Sequence, residues 1–177
     1  FPLATILRPS IVYSVDDNFT TNFMTLLNRL PFFPLYYEGK TKFMPIHCSD
    51  LTDVIYHVIT KNIDSKIIEC VGPQTITFKE ILQKLLILIN KKRFLIPFPD
   101  LLGKISANFF QIFPKPILTR DQFNLLKYDN VPSKKYKTNF DIGVPSNRYF
   151  ESEVKKYCYM WREGGEYSTE KYQNKNK

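Results

Sequence analysis

The 177-residue chain is 44% hydrophobic and 15% aromatic, enough apolar material for one sizeable core and for one domain or one and a half. Six glycines exclude a collagen-like or low-complexity chain, and three cysteines without CxxC spacing speak against a disulfide framework or a zinc site and for a reducing compartment. The net charge of +8 would attract nucleic acid or anionic lipid, but no nucleic-acid motif accompanies Lys91-Lys92-Arg93, Lys134-Lys135-Tyr136-Lys137 or the Lys-rich tail, so solvated charge or a lipid- or protein-docking surface is the preferred reading.

In chain order, Phe1-Pro2-Leu3-Ala4-Thr5 carries neither the basic region nor the apolar run of a signal peptide. Leu3 to Val12 reads as a buried strand broken at Arg8-Pro9. Domains seldom open inside such a strand, so the expectation is a fragment that self-associates through exposed apolar surface. Asp16-Asp17-Asn18 offers caps for a helix with Phe19, Phe23, Leu26, Leu27 and Leu30 on one face, closed by Pro31. Phe43 to Cys48 is a short strand, after which Asp50 reads as the cap of a helix with a buried stripe of Leu51, Val54, Ile55, Val58 and Ile59. Ile67 to Val71 is a further buried strand, turned by Gly72-Pro73. Thr77-Phe78-Lys79-Glu80 is a capping box opening a helix through Asn90, with Phe78, Ile81, Leu82, Leu85 and Ile89 at 3.6-residue spacing.

Phe94 to Leu118 holds only Asp100, Lys104 and Lys115 as charges, against many bulky apolar residues that include Phe94, Phe98, Phe109 and Phe113. Pro99 and Pro114 leave room for about 21 Å of helix, short of the ~30 Å bilayer core, so the segment cannot span. It reads as a surface-lying amphipathic element for an anionic headgroup boundary or a partner, or as a cover for a cleft. Thr119-Arg120-Asp121-Gln122 is a second capping box, Lys134 to Asn147 a surface loop, and Phe150, Val154, Tyr157 and Trp161 a late helix. Strands separated by helices give an α/β class. The expected division is a body over 1–163 and a loose, polar, basic tail over 164–177.

Four stretches carry a resemblance. Thr5-Ile6-Leu7-Arg8-Pro9-Ser10-Ile11-Val12-Tyr13 resembles the "LRP…VYG" strand of the extended short-chain dehydrogenases/reductases, the NAD-dependent epimerase/dehydratase-like group, and Pro45-Ile46-His47-Cys48-Ser49-Asp50-Leu51 resembles their "HVxDV" turn. Glu69-Cys70-Val71-Gly72-Pro73-Gln74 through Glu80-Ile81 resembles the "NxGGPxxxTxxE" segment. Leu118 to Leu126 with Asp129-Asn130-Val131 is similar to the branch related to the dehydrogenase-like accessory subunit of respiratory complex I. The resemblance implies the C-terminal part of a Rossmann-like fold, a few parallel strands plus a mainly helical smaller lobe, without the N-terminal dinucleotide-binding half. The family's GxxGxxG turn, whose backbone N–H groups and helix dipole hold a pyrophosphate, is missing. Its Tyr-x-x-x-Lys acid/base lies upstream of the LRP strand. Tyr36 with Lys40 and Tyr167 with Lys171 match the spacing downstream, at about the frequency chance predicts, so no catalytic residue is assigned.

The resemblance places Pro9, Ser10 and Val12 along the nicotinamide end of a cofactor cleft in an intact protein, the alternative being that Arg8-Pro9 only ends a strand. It places Lys42 near the arginine that nucleotide-sugar enzymes use for a diphosphate, the alternative being an ordinary surface lysine. Where relatives continue with Gly-Pro after the tyrosine, this chain has Ser14-Val15. His47 beside Cys48 reads as structural because adjacent strand residues point to opposite faces, His57 has no partner at ligand spacing, and no metal site is expected. The intact protein would bind NAD or NADP, while this chain alone is expected to bind neither and to be inactive. Two functions follow from the resemblance. One is an accessory or assembly subunit of respiratory complex I, partnered by its own N-terminal half, by complex I subunits or by an anionic membrane through Phe94 to Leu118, on the matrix side or in the cytoplasm. The other is the substrate-binding lobe of an NAD(P)-dependent epimerase, dehydratase or reductase acting on a nucleotide sugar or similar small molecule.

Overall fold

The structure is a computed structural model that describes residues 2–64, 66–97 and 125–168. In order these form β1 (Ile6–Pro9), β2 (Val12–Tyr13), α1 (Thr20–Arg29), β3 (Phe32–Leu35), β4 (Lys42–Phe43), β5 (Ile46–His47), α2 (Cys48–Thr60), β6 (Ile67–Cys70), β7 (Ile76–Thr77), α3 (Phe78–Leu88), β8 (Phe94–Pro97), β9 (Lys137–Thr138) and α4 (Phe150–Val154), with 3₁₀ turns at Tyr36–Gly39, Cys158–Trp161 and Gly165–Ser168. Strands β1, β6 and β9 make a parallel sheet in the order β1-β6-β9. The pairs β2-β5 and β3-β8 are also parallel, and β4-β7 is antiparallel. Parallel neighbours need crossovers, and α2 supplies the one that leads into β6. This is the mixed α/β architecture with parallel strands that the sequence predicts.

Two cores divide the molecule. The larger is helical and aromatic: Phe23, Met24 and Leu27 of α1 pack with Phe78, Ile81, Leu82 and Leu85 of α3 and with Phe150, Val154 and Tyr157. The Phe23 ring meets Phe19 at 4.9 Å, Phe33 at 5.8 Å and Phe78 at 5.3 Å, all edge-on, the arrangement that ring quadrupoles favour. The smaller core lies between sheet and α2, with Ile46, Val54, Ile68 and Cys70 buried and Leu7, Val12, Leu51 and Val58 packed around them.

Local chemistry sets the helix ends. Asp17 accepts the N–H of Phe19 at 2.6 Å and that of Thr20, and Leu30 is already extended before Pro31, so α1 begins and ends where the sequence places it. In α3 the Glu80 N–H donates to Thr77 Oγ1 at 3.2 Å while the Thr77 N–H donates to Glu80 Oε2 at 2.7 Å, a complete capping box, and the predicted stripe is buried throughout.

Several expectations are corrected. β1 is not a buried strand: it is the outer member of its sheet, and Ile6 is half exposed. On α2 only Asp50 and Val54 are buried, while Ile55 and Ile59 face outward, because the small sheet covers a narrow part of the helix. Asp50 is not the cap of α2. His47 is, with Nδ1 accepting the Ser49 N–H at 3.2 Å. Lys134 to Asn147 is not a bare loop, since it contains β9 and the fully buried Asn139. The late helix stops at Val154, and Tyr157 and Trp161 follow on a turn and a 3₁₀ segment. Phe94–Pro97 opens the predicted amphipathic element as a strand; the rest of that element, through Leu118, and the second capping box lie outside the described residues. So does most of the tail.

Candidate functional site

In parallel sheets ligands sit beyond the carboxyl ends of the strands, and the candidate residues gather at that end here. Pro9 closes β1 and is exposed. Ser10 follows it and is buried, its hydroxyl donating to the Asn130 carbonyl at 3.1 Å and accepting the Met44 N–H at 3.3 Å. Val12 pairs with Ile46 and is half buried against the small core. Lys42 is tied through its backbone: its N–H donates to Asp129 Oδ1 at 2.8 Å and its carbonyl accepts the Asn130 N–H at 2.8 Å. Ser10 and Lys42, 32 positions apart in chain numbering, are thus brought to one rim by the Asp129-Asn130 strap. The sequence marked Asp129-Asn130-Val131 as a motif and did not reveal that its work is to bind these two segments together.

Beneath the rim the backbone is packed without slack. The Gly72 N–H donates to the Met44 carbonyl at 3.0 Å, and a Cβ at Gly72 would fall 1.7 Å from the Pro45 carbonyl oxygen. Asn139 fills the gap between β6 and β9. Its N–H donates to the Glu69 carbonyl, its Oδ1 accepts the Val71 N–H at 2.8 Å, and its Nδ2 donates to the Val144 carbonyl and to Ser146 Oγ at 3.0 Å each. Ser146 in turn donates to the Val71 carbonyl at 2.8 Å. No sequence signal pointed to Asn139, because two of its partners, Glu69 and Val71, lie on or just past β6, remote from it in the chain.

Beside the rim lies a cluster of titratable groups. Tyr13 is fully buried, donates its hydroxyl to the Arg148 carbonyl at 3.1 Å and packs edge-on against His47 at 5.3 Å. Asp50, buried in the first turn of α2, accepts from the Arg148 guanidinium and, at 3.2 Å, from the Arg148 N–H. Burial raises the Tyr13 phenol well above its ordinary value, with Glu153 and Asp50 adding to the effect, so it stays neutral. The predicted structural role of His47 fits this geometry: it caps α2 and stands 4.0 Å from Glu153.

Burial lowers the His47 pKa; Glu153 and Asp50 oppose the shift, and Arg148 and Lys156 add to it. The folded chain therefore binds the imidazole proton less readily than the unfolded chain, whose histidine titrates near about 6.5. His47 favours folding fully above that value, and the contribution is lost as pH falls through it towards the lower folded value. Thermal melts between about pH 7.5 and about pH 5.5 should show the loss. His47→Asn, which keeps a capping acceptor and removes the titration, should lose less melting temperature over the same range; an identical loss would show that His47 is not the group responsible.

The downstream Tyr-x-x-x-Lys spacings make no joint site among the described residues. Tyr36 is buried, Lys40 pairs with Glu38, and Lys171 lies outside the described residues. Cys48, Cys70 and Cys158 are free thiols, and among the described residues no His, Cys, Asp and Glu grouping could hold a metal. A shallow pocket of about 290 Å³, lined by Ile63, Lys66, Lys137 and Ile142 among others, opens at the amino-terminal ends of β6 and β9, away from the rim.

No family model matches the chain. The structure aligns with DesIV, a dTDP-glucose 4,6-dehydratase from Streptomyces venezuelae solved with NAD and TYD bound, at a TM-score of 0.57 and 17% identity over 89% of this chain and 42% of that one. It aligns with the human epimerase family protein SDR39U1, solved with NADPH, at a TM-score of 0.60 and 16% identity over 87% of this chain and 48% of that one. In fold, the chain is similar to a little under half of each of these two proteins, a mixed α/β arrangement with parallel strands. In sequence it is 26% identical over 167 residues to the mitochondrial NADH dehydrogenase [ubiquinone] 1 alpha subcomplex subunit 9 of Dictyostelium discoideum, across 92% of this chain and 46% of the relative. It is 26% identical over 175 residues to the protein of the same name from Arabidopsis thaliana, across 93% of this chain and 43% of the relative. The chain spans less than half the length of the curated relatives it matches.

Proposed function

We propose that this chain is the C-terminal, partner-facing portion of an NAD(P)-binding, dehydrogenase-like accessory or assembly subunit of respiratory complex I, on the matrix side of the inner mitochondrial membrane. The observation that carries the reading is the alignment over more than nine-tenths of the chain with two relatives that bear the same complex I subunit name. None of the described helices is long and apolar enough to cross a membrane, which agrees with peripheral attachment. The test is native gel electrophoresis of mitochondrial membranes from cells carrying a tagged natural protein. Co-migration of the tag with NADH dehydrogenase activity is expected; a tag found only in unassembled fractions would overturn the reading.

In that protein Pro9, Ser10 and Val12 form one wall of the nicotinamide end of the cleft, and Lys42 stands at its rim. The wall is a partial fit. The Ser10 hydroxyl is already committed to Asn130 and Met44, and no glycine-rich turn is present to hold phosphates. When bound, the cofactor supplies redox chemistry or structural support; these residues contribute shape. This chain alone should therefore not bind NAD(H) or NADP(H) usefully, and titration calorimetry giving a dissociation constant in the low micromolar range would refute that. The second reading, a substrate-binding lobe of an NAD(P)-dependent epimerase or dehydratase, is favoured by Lys42 on the rim and by the enzymes that share the fold. Turnover of a nucleotide sugar by the natural protein would establish it.

A further inference from the structure

The pocket at the amino-terminal ends of β6 and β9 belongs to neither the rim nor the titratable cluster beside it. Its aliphatic lining comes from separate stretches: Ile63 stands just past α2, Ile67 and Ile68 open β6, and Ile142 lies on the turn after β9. Ile68 is buried, and Ile63 and Ile142 are half buried against the small core, so the pocket is an inlet into that core. Its walls are held in place. The Thr5 hydroxyl donates to the Ile63 carbonyl and accepts the Lys66 N–H at 3.4 Å, while the Ile63 N–H donates to the Val58 carbonyl at 3.1 Å. Opposite, the Gly143 N–H donates to the Phe140 carbonyl at 3.1 Å and the Val144 N–H to the Asn139 carbonyl at 2.9 Å, which closes the turn carrying Ile142. Walls fixed in this way leave little to be ordered when a ligand enters.

Three exposed charged residues, Lys66, Lys137 and Asp141, complete the lining. Among the described residues neither lysine enters an ion pair. Asp141 accepts the Thr138 N–H at 2.7 Å and the Thr138 hydroxyl at 2.8 Å, and these hydrogen bonds hold its carboxyl below the usual carboxylate range. Two ammoniums against one carboxylate leave the mouth with a net charge of +1. That balance suits a monoanion, because Asp141 repels a second negative charge. The isoleucines offer contact to an alkyl chain but no hydrogen bond, and the lining holds no aromatic ring on which a base could stack. At about 290 Å³ the pocket is at the small end of the ~300–1,000 Å³ that ligand pockets span, too little for a dinucleotide.

We propose that this pocket binds a small amphipathic monoanion of the medium-chain carboxylate class, its alkyl chain over Ile63, Ile68 and Ile142 and its carboxylate between Lys66 and Lys137. The site lies at the opposite end of the strands from the Ser10 and Lys42 rim. It therefore needs no cofactor at that rim, and it does not rest on assembly with complex I.

Octanoate is the probe, titrated into the full-length natural protein with methyl-labelled isoleucine. The Ile63, Ile68 and Ile142 methyls should shift saturably, with a dissociation constant of about 1 mM or tighter. From butanoate to octanoate the affinity should rise about 2- to 4-fold per methylene, as each CH₂ leaves water. Lys66→Gln combined with Lys137→Gln, two changes at exposed positions that should leave the melting temperature unaltered, should weaken octanoate by about 5-fold or more. Asp141→Asn, which keeps an acceptor for Thr138, should tighten it by about 2-fold or more, an effect that a purely structural role would not produce. Absence of a saturable shift at these methyls would overturn the proposal, as would unchanged affinity in either variant. Equally tight binding of 1-octanol would reduce the site to an apolar cavity, and inorganic phosphate shifting the same methyls at the same concentration would reduce it to a bare anion site. Either result overturns the proposal. So does displacement of octanoate by excess NADH, which would place the carboxylate in the cofactor cleft instead.

Discussion

Gly72→Ala is expected to be the most damaging single-methyl change in the described part of the chain. The added Cβ would lie 1.7 Å from the Pro45 carbonyl oxygen and 2.7 Å from its carbon, both backbone atoms that cannot swing aside as a side chain would. Relief requires the end of β6 and the approach to β5 to separate by more than an ångström. That breaks the Gly72–Met44 hydrogen bond and strains the neighbouring Ile46–Ile11 bond. Overpacking that side chains can absorb costs about 1–3 kcal/mol, so a backbone clash should exceed about 3 kcal/mol and lower the melting temperature by about 10 °C. Gly143→Ala is the control. Its Cβ meets nothing within 4 Å, but its φ of +82° penalises any side chain, so it should cost only about 1 kcal/mol. Comparable losses from the two variants would mean that the β5–β6 approach is looser than the structure has it.

How far the sequence could be read depended on whether the deciding partners were local. Thr77 and Glu80 are three residues apart, and the stripe from Phe78 to Ile89 repeats within one helix, so α3 was legible in full. Asp17 before α1 and Pro31 after it were legible for the same reason. α2 was half legible: its periodicity was real, but which part of the stripe is buried depends on the width of a sheet three strands across. Asp50 looked like a cap because it opens an apolar run, yet its partner is Arg148, 98 positions away. Asn139 was taken for part of a loop because its neighbours in sequence are polar. Val144 and Ser146 are near it in the chain, but Val71 is brought to it only by the β6–β9 pairing. At the candidate site Ser10 and Lys42 came from a family resemblance, and the strap that joins them became visible only in three dimensions.

Arg148→Met should be the second largest loss. The Asp50 carboxylate is almost fully buried, and Arg148 supplies both its guanidinium partner and a backbone N–H. Removing one member of a buried pair costs about 3–5 kcal/mol when both are enclosed. Here the guanidinium side chain is 39% exposed and Asp50 also sits in the first turn of α2, where the helix dipole favours a negative charge, so about 2–3 kcal/mol is expected. Exposed Asp53, 3.7 Å from the guanidinium, adds little. Asp50→Asn, which strands a partly solvated cation rather than a buried anion, should cost less than Arg148→Met. The double variant should recover much of the loss. The pair also shapes the rim, because the Arg148 carbonyl accepts the Tyr13 hydroxyl at the end of β2, next to Val12. Faster amide exchange at Tyr13 and Val12 in Arg148→Met should therefore accompany the loss of stability. Additive single-variant costs with unchanged exchange there would reduce the pair to an ordinary surface contact and separate it from the candidate site.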